Sequence, residues 1–526
     1  MEYIVSAEEM KRADRTTSEV FGLSPEVLME RAALAVSDEI GRIFTEHSMA
    51  GSPRVLIFAG NGGNGGDGIA IARILHQRGV EVLLIAVGEI DRYRDITRNQ
   101  LETAMRYGVP LIRLSDAGDT EAVRMITQRR FDVIVDALFG IGVTRPLAGV
   151  WSAAVALIRE FKAAEGDRVR IVSVDLPSGI HTDTGEVCGI AVRADLTLTM
   201  NHKKLGLVLY PGAAYAGEVR ILDVGITEES FGDDLPCIAA LDEDPRVCVP
   251  ERVPSANKGG FGKVLIVAGN GTIGGAAILA AKAAFATGAG MVRVLTEEKN
   301  RTALLSACPE ALIDVWEEAL PFNRMQETLE TALSWATACV IGPGIGTDER
   351  AAELLKGVLL NDRLPLIIDA DGCNLIARHE ELRAEVTSYR RAAKWPILTP
   401  HVGEFARLSD RDPQTVKKEF LTAPQRLAEE LSCTVLCKDA RSITAQAGRR
   451  TAIINLSGNS GMATAGSGDV LAGIIGALAA QGMQPFDAAA TGAYLHGLAG
   501  DAAAADCGEA AVTASGIVAH LGEILR

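Results

Sequence analysis

The strongest constraint on how this chain can fold is a repeated piece of punctuation: short apolar runs that stop at a glycine-rich turn and lead into a helical stretch. A run that is apolar at every position suits a strand buried on both faces of a parallel sheet, and the glycines let the backbone turn tightly into the covering helix. RVLIFAG (Arg54 to Gly60) reads as such a strand, NGGNGGDG as the turn, IAIARILHQRG as a helix ending at Gly79, and VEVLLIAVG as the next strand. FDVIVDALFGIG and RVRIVSVDLPSG repeat the plan, each a strand ending in an acid with a glycine-bearing loop beyond it. Ahead of them, Ser6 and Glu9 make a capping-box pattern, and a second helix is expected over Pro25 to Ile40. The implied product is a parallel sheet with ligand loops along its carboxyl edge.

After RILDVGI (Arg220 to Ile226), the stretch from Thr227 to Gly260 is acidic and proline-bearing, without long apolar periodicity. Domains are therefore expected over 1–225 and 236–526, which suits a chain of 526 residues. The second α/β run opens with GKVLIVAGNGTIGGAAILAAKAAFATGAGMVRVL and continues through ACVIGPGIG, LPLIIDADGCNL, WPILTPHVGEF, CTVLCKDA and MATAGSGDVLAGIIGALAA.

A net charge of -16 argues against nucleic acid as a partner, because phosphate binding on that scale needs a basic stripe. The first residues lack a basic-then-apolar leader, and no run approaches the roughly 18 apolar residues of a membrane span. A cytoplasmic location, no membrane partner, and a homo-oligomer built on apolar helices are expected. The nine cysteines are scattered, and the closest pair, Cys433 and Cys437, lies in the apolar segment CTVLC, so buried reduced thiols are expected rather than a metal site.

Gly60, Gly62 and Gly65 have literal G-x-G-x-x-G spacing, and Gly269, Gly271 and Gly274 repeat it. Both turns follow a strand and open a helix, so a dinucleotide-binding oxidoreductase has to be weighed. Against it, Asn64 and Asp67 put polar side chains where a dinucleotide loop mainly needs bare backbone, and a carboxylate would oppose a pyrophosphate. Lys258 and Lys263 both lack the Ser or Thr that a Walker A loop requires.

GNGGNGGDG, DALFGIGVTRP and VDLPSGI, in that order, resemble the NAD(P)H-hydrate epimerase family over roughly residues 1–225. Asn64, Asp136 and the Ser178 loop offer hard oxygen donors at strand ends, and the resemblance implies that they hold a potassium ion. It also implies that Gly63, Asn64, Gly65, Gly66 and Asp67, together with Gly140, Ile141, Gly142, Val143, Thr144, Arg145 and Pro146, hold the hydrated nucleotide. Asp175 would be the acid–base residue, since epimerising a carbinol carbon needs a group that exchanges a proton with the hydroxyl. Its plainer role would be to cap the LPSG loop. The chain departs from the commoner G-P-G-N-N-G-G-D-G at Asn61 and Gly63, which bears on a phosphate contact from Gly63.

In NLSGNSGMATAGSGDVLAGIIGAL, the core Gly466, Ser467, Gly468 and Asp469 opens an apolar helix, where free amides can receive an anion and the acid can deprotonate an attacking hydroxyl. The plainer role of Asp469 is a helix cap. With GPGIG (Gly342 to Gly346), the acids Asp369 and Asp371, and TPHVGEF, this segment resembles the ADP- or ATP-dependent NAD(P)H-hydrate dehydratases over roughly 240–526. The resemblance implies a Rossmann-like three-layer domain followed by a ribokinase-like α/β domain. It places Ala276, Gly346, His401 and Asp469 at the hydrate, and Lys438, Asp439, Ala440, Arg441, Ser442 and Gly468 at the adenine nucleotide, with Mg²⁺ assisting. KDARS stands where the family has lysine, glycine and small residues, which bears on the choice between ADP and ATP. The competing reading is a ribokinase-type small-molecule kinase joined to a non-catalytic N-terminal binding module.

Overall fold

The computed structural model describes residues 1–46, 53–252, 254–316, 322–361, 363–389 and 395–526; Val253, inside the expected inter-domain stretch, lies outside them. The chain divides into two compact units, Tyr3–Cys237 and Ile238–Arg526, the latter with Met1–Glu2. No helix of the described residues is long and apolar enough to cross a membrane.

The strands of the first unit are β1 (Glu2–Val5), β2 (Arg54–Ala59), β3 (Glu81–Val87), β4 (Leu111–Leu114), β5 (Val133–Ala137), β6 (Arg170–Val174), β7 (Leu196–Met200), β8 (Lys203–Lys204) and β9 (Glu218–Leu222). Seven of them form one sheet in the order β4-β3-β2-β5-β6-β7-β9, every pair parallel. Side chains alternate across a strand, so β2 sends Val55, Ile57 and Ala59 into the core on one face of the sheet and Leu56 and Phe58 into the core on the other. The result is a Rossmann-like three-layer unit. The helix Pro25–Glu46 runs past its expected end at Ile40 because Ile43 is still buried.

The second unit contains β10 (Ile238–Ala240), β11 (Lys263–Val267), β12 (Met291–Glu297), β13 (Leu312–Trp316), β14 (Ala338–Ile341), β15 (Leu366–Ile368), β16 (Ile397–Leu398), β17 (Thr434–Cys437), β18 (Ile443–Gln446) and β19 (Ala452–Ile454). They order as β13-β12-β11-β14-β15-β16-β17-β18-β19-β10. The sheet is parallel through β17 and then turns antiparallel across β17-β18-β19. The chain reverses there because KDARS is the loop of a β-hairpin, with Cys437 opposite Ile443. One face carries the helices Gly274–Ala286, Ser467–Ala480 and Pro485–Cys507. Their abundance of alanine and glycine has a packing cause: a Cβ at Gly473 would lie 2.2 Å from the Ala280 carbonyl oxygen, so two helices meet backbone to backbone. This is the ribokinase-like α/β unit that the sequence led one to expect.

Cys433 and Cys437 are buried, and burial pushes the Cys437 thiol up. Cys237 and Cys507 are exposed and Cys248 is half-buried, which corrects the expectation of buried thiols throughout. Cys237 ends the first unit and Cys507 ends a helix, where the local apolar runs have already stopped.

Candidate active sites

In each sheet the strand order reverses once, and a ligand crevice forms at the carboxyl edge of that point. In the first unit the reversal lies between β2 and β5, in the second between β11 and β14.

The glycine turn after β2 is built differently from its sequence reading. NGGNGGDG is not a free loop: the helix runs from Gly63 to Gln77, so Gly63 to Asp67 are its first turns. Close packing explains this. A Cβ at Gly65 would sit 1.9 Å from the Gly60 carbonyl oxygen, and one at Gly68 would sit 2.4 Å from the Ala137 side chain. Gly63, by contrast, has no neighbour within 4 Å of a Cβ and borders open space. The helix N-cap is Gly62, which has no side chain to cap with, so the first amides keep their donors for a ligand.

Asp175 follows β6 directly in a left-handed conformation, φ 69°, a strained state for a non-glycine residue of the kind found where side-chain direction matters. Its Oδ1 pairs with Lys204 Nζ at 2.5 Å and accepts from Thr199 Oγ1 at 3.3 Å. Lys204 is 1% exposed and also donates to Thr199 Oγ1 and the Met200 carbonyl, so its three protons are all engaged. The other carboxylate oxygen, Oδ2, points across Gly140, where a Cβ would lie 3.0 Å from it and 3.5 Å from the Asn64 amide carbon. The structure thus brings Asp175, Asn64 and Gly140 together, with one oxygen of Asp175 anchored and the other open. Burial, and then the charges of Asp175 and Asp14, push the Asp67 carboxyl well above its usual range, toward the neutral form that does not repel a phosphate. The Gly140–Pro146 loop borders a cavity of about 440 Å³ that also meets Lys11, Arg15 and His181.

Of the expected cation ligands, Asn64 has both amide atoms buried without a hydrogen-bond partner among the described residues. Asp136 is fully buried and accepts from Ser173 Oγ (2.9 Å), Ser178 N (2.8 Å), Ser178 Oγ (2.5 Å) and Leu138 N (3.3 Å). Burial raises its carboxyl above the usual range against these bonds. Ser178 gives its hydroxyl proton to Asp136 and accepts from the Phe139 amide, so it positions Asp136.

In the second unit, Asp369 directly follows β15, and Ala370, at φ 48°, turns the chain so that Asp371 opens the next helix. Asp369 Oδ1 receives Lys438 Nζ at 2.6 Å and Thr399 Oγ1 at 2.7 Å. Lys438, expected at the nucleotide, is therefore part of an ion pair that is itself mostly buried. A Cβ at Gly468 would lie 3.3 Å from Lys438 Nζ and 3.9 Å from Asp369 Oδ2, which puts the N-terminus of the helix Ser467–Ala480 beside this pair. Asp469 lies in the first turn of that helix; burial first, and then the Asp369 charge, push its carboxyl up to about 7, with Lys438 opposing. The cap is Gly466, not Asp469, and no side-chain cap bond forms, so the plainer role drawn from the sequence is not the one it plays.

Gly346 donates its amide to Asp371 Oδ2 at 2.9 Å, joining the same edge. Ala276 is buried in the first turn of the helix that begins at Gly274. His401 is more exposed, and its Nδ1 accepts the Gly403 amide at 2.9 Å while Glu404 returns a bond to the His401 amide. It therefore caps the helix Val402–Leu408, with its other nitrogen 3.3 Å from Glu404. In the hairpin loop, Arg441 bonds the Leu456 carbonyl, and Asp439 and Ala440 are exposed. No local motif marks Lys204, Thr199 or Asp14, nor His496, which contacts Ser467 Oγ at 3.2 Å and whose pKa burial lowers to about 4.

Two reversal-point crevices, each with an aspartate set at a strand or helix end, make this a two-site α/β enzyme. Residues 25–206 match the family described as YjeF-related protein N-terminus, and residues 264–521 match NAD(P)H-hydrate dehydratase. The chain is 35% identical to the bifunctional NAD(P)H-hydrate repair enzyme Nnr of Thermofilum pendens over 99% of its own length and 96% of that protein. It is 36% identical to the corresponding enzyme of Moorella thermoacetica, covering 100% and 97%. Among solved structures, the Bacillus subtilis ADP/ATP-dependent NAD(P)H-hydrate dehydratase co-crystallised with ATP/Mg²⁺ is 25% identical and matches 53% of this chain and 94% of that one, with a TM-score of 0.46. The chain belongs to the family of bifunctional NAD(P)H-hydrate repair enzymes.

Proposed function

We propose that this chain repairs hydrated NADH and NADPH. The N-terminal unit epimerises the R and S hydrates, and the C-terminal unit dehydrates the S hydrate with ADP or ATP, leaving AMP and phosphate when ADP is used. In the first step, the open Oδ2 of Asp175 takes the proton of the carbinol hydroxyl as the bond from that carbon to the ring nitrogen breaks, its electron pair passing to nitrogen and the oxygen becoming a carbonyl. The nitrogen then re-adds to the other face and Oδ2 returns the proton to the oxygen, while Lys204 and Thr199 hold the other carboxylate oxygen fixed.

In the second, Asp469 removes the proton of the hydrate hydroxyl, whose oxygen attacks the terminal phosphorus of the nucleotide. The phosphate then departs with the C–O electron pair, a proton leaves the neighbouring ring carbon, and the double bond of the dihydronicotinamide re-forms. Phosphate leaves far more readily than hydroxide, and cleavage of the nucleotide supplies the driving force.

The observation that carries this reading is the Asp469 carboxyl, pushed up to about 7 at the N-terminus of the helix Ser467–Ala480: it is poised to accept a proton near neutrality. The donor set also suits the implied ions. A potassium ion would use the unpartnered Asn64 oxygen and the buried charge of Asp136, and would supply positive charge beside the anionic substrate. Mg²⁺ would rest on Asp369 and Asp371 and on the nucleotide phosphates.

Incubation of the purified protein with ADP and hydrated NADH tests the proposal. Recovery of NADH absorbance together with free phosphate is expected. A stable phosphorylated hydrate would instead identify a ribokinase-type kinase.

A further inference from the structure

The second G-x-G-x-x-G turn, Gly269 to Gly274, is not used by the chemistry above, and it borders a cavity of about 980 Å³ whose lining includes Asn270, Glu297, Lys299, Ile345 and Arg350. That volume is ample for a nucleoside. The loops after β11 and β14 are bonded together, Gly269 N to the Pro343 carbonyl at 2.9 Å and Asn270 N to the Gly344 carbonyl at 2.7 Å. Gly346 stands between the two sides: a Cβ there would lie 3.3 Å from Asn270 Nδ2, while its amide bonds Asp371. A dinucleotide passing over Gly346 would put one half beside the carboxylates near Asp469 and the other half in this cavity.

Glu297 is the last residue of β12, reached from the glycine turn by one helix and one strand. In dinucleotide-binding units this is where an acid accepts the hydroxyls of the adenosine ribose. The carboxylate is held ready: Oε2 accepts the Gly271 amide at 2.6 Å, Oε1 pairs with Lys299 at 2.9 Å, and the side chain is 15% exposed. A Cβ at Gly271 would lie 2.9 Å from Oε1, so glycine permits this approach. The hydrogen bond from Lys299 holds the Glu297 carboxyl below the usual range, so it is ionised at neutral pH and each oxygen keeps a lone pair for a hydroxyl. Around it, Glu297, Asp348, Glu349 and Glu353 outnumber Lys299 and Arg350.

Resting on the repair reading, we propose that this cavity takes the adenosine half of the hydrate and that Glu297 selects a free 2′-hydroxyl, so that the dehydratase prefers NADH hydrate to NADPH hydrate. A 2′-phosphate would bring close to two negative charges into an acidic lining.

The test is steady-state dehydration of the S hydrates of NADH and NADPH by the full chain with ADP, which reads the C-terminal unit alone. The wild type is expected to favour NADH hydrate in kcat/KM by about tenfold, and Glu297→Gln to bring the ratio near unity, chiefly through KM. Lys299→Met, at a side chain 66% exposed, moves the ratio the other way by about threefold, because the acid loses its counter-charge. It decides the matter if Glu297→Gln does not fold. Conversion of both hydrates with a ratio that neither variant moves overturns this inference and leaves the repair reading standing. Conversion of neither hydrate by the wild type removes the repair reading and this inference with it.

Discussion

A carboxylate serves as a base near neutrality only if its surroundings make the proton welcome, and Asp469 has the two features that do this: burial and the neighbouring Asp369 charge. The dehydration rate is therefore expected to fall as pH drops below about 7, as the carboxyl takes up its proton; an acid limb of kcat/KM near that value checks it. The same shift acts on stability with a definite sign. Between the ordinary 3.8 and about 7 the folded chain holds a proton that the unfolded chain has lost, so the contribution of Asp469 to stability declines as pH rises through that window. Asp469→Asn should cost about a hundredfold or more in dehydration, yet stabilise the second unit by about 2 kcal/mol at about pH 8, a gain that disappears below about pH 4 in denaturant titrations. The placement of Asp175 and Asp469 at element ends was legible in the sequence because each sits in a local motif. Lys204 was not, since a lysine 29 positions beyond Asp175 becomes its partner only once β6, β7 and β8 are in place. The pairing of Lys438 with Asp369, 69 positions apart, was hidden for the same reason.

At the scale of elements, β2, β3, β5 and β6 could be read directly, because full burial on two faces demands apolar residues at every position. Helix starts were harder. The helix at Gly63 begins inside what reads as a loop, since glycine has poor helix propensity and here answers to contacts distant in sequence. The antiparallel turn at β17-β18 was missed too, because KDARS carries none of the usual two-residue hairpin signals. Substitutions in the helix Gly63–Gln77 separate packing from binding. Gly65→Ala would drive a Cβ to within 1.9 Å of the Gly60 carbonyl, so the helix must move off β2. A loss of about 2–3 kcal/mol, seen as a lower denaturation midpoint, should accompany loss of epimerisation. Gly63→Ala, with open space around its Cβ, should leave stability within about 0.5 kcal/mol and weaken substrate binding alone.

At the scale of the molecule, each unit buries its own cores on both faces of its own sheet and carries its own aspartate at a strand or helix end. If the two chemistries depend only on those local arrangements, damage to one must leave the other intact. Full-length Asp175→Asn should still dehydrate S hydrate at the wild-type rate but stall on R hydrate beyond its slow spontaneous epimerisation. Asp469→Asn should exchange R and S without forming NADH. An equimolar mixture of the two variants should then convert a mixture of both hydrate epimers completely, because the epimer released by one is the substrate of the other. Monitoring NADH absorbance with each epimer, and with the mixture, checks all three outcomes. Failure of the mixture while each single activity survives would mean that the hydrate must stay on one chain between the two steps.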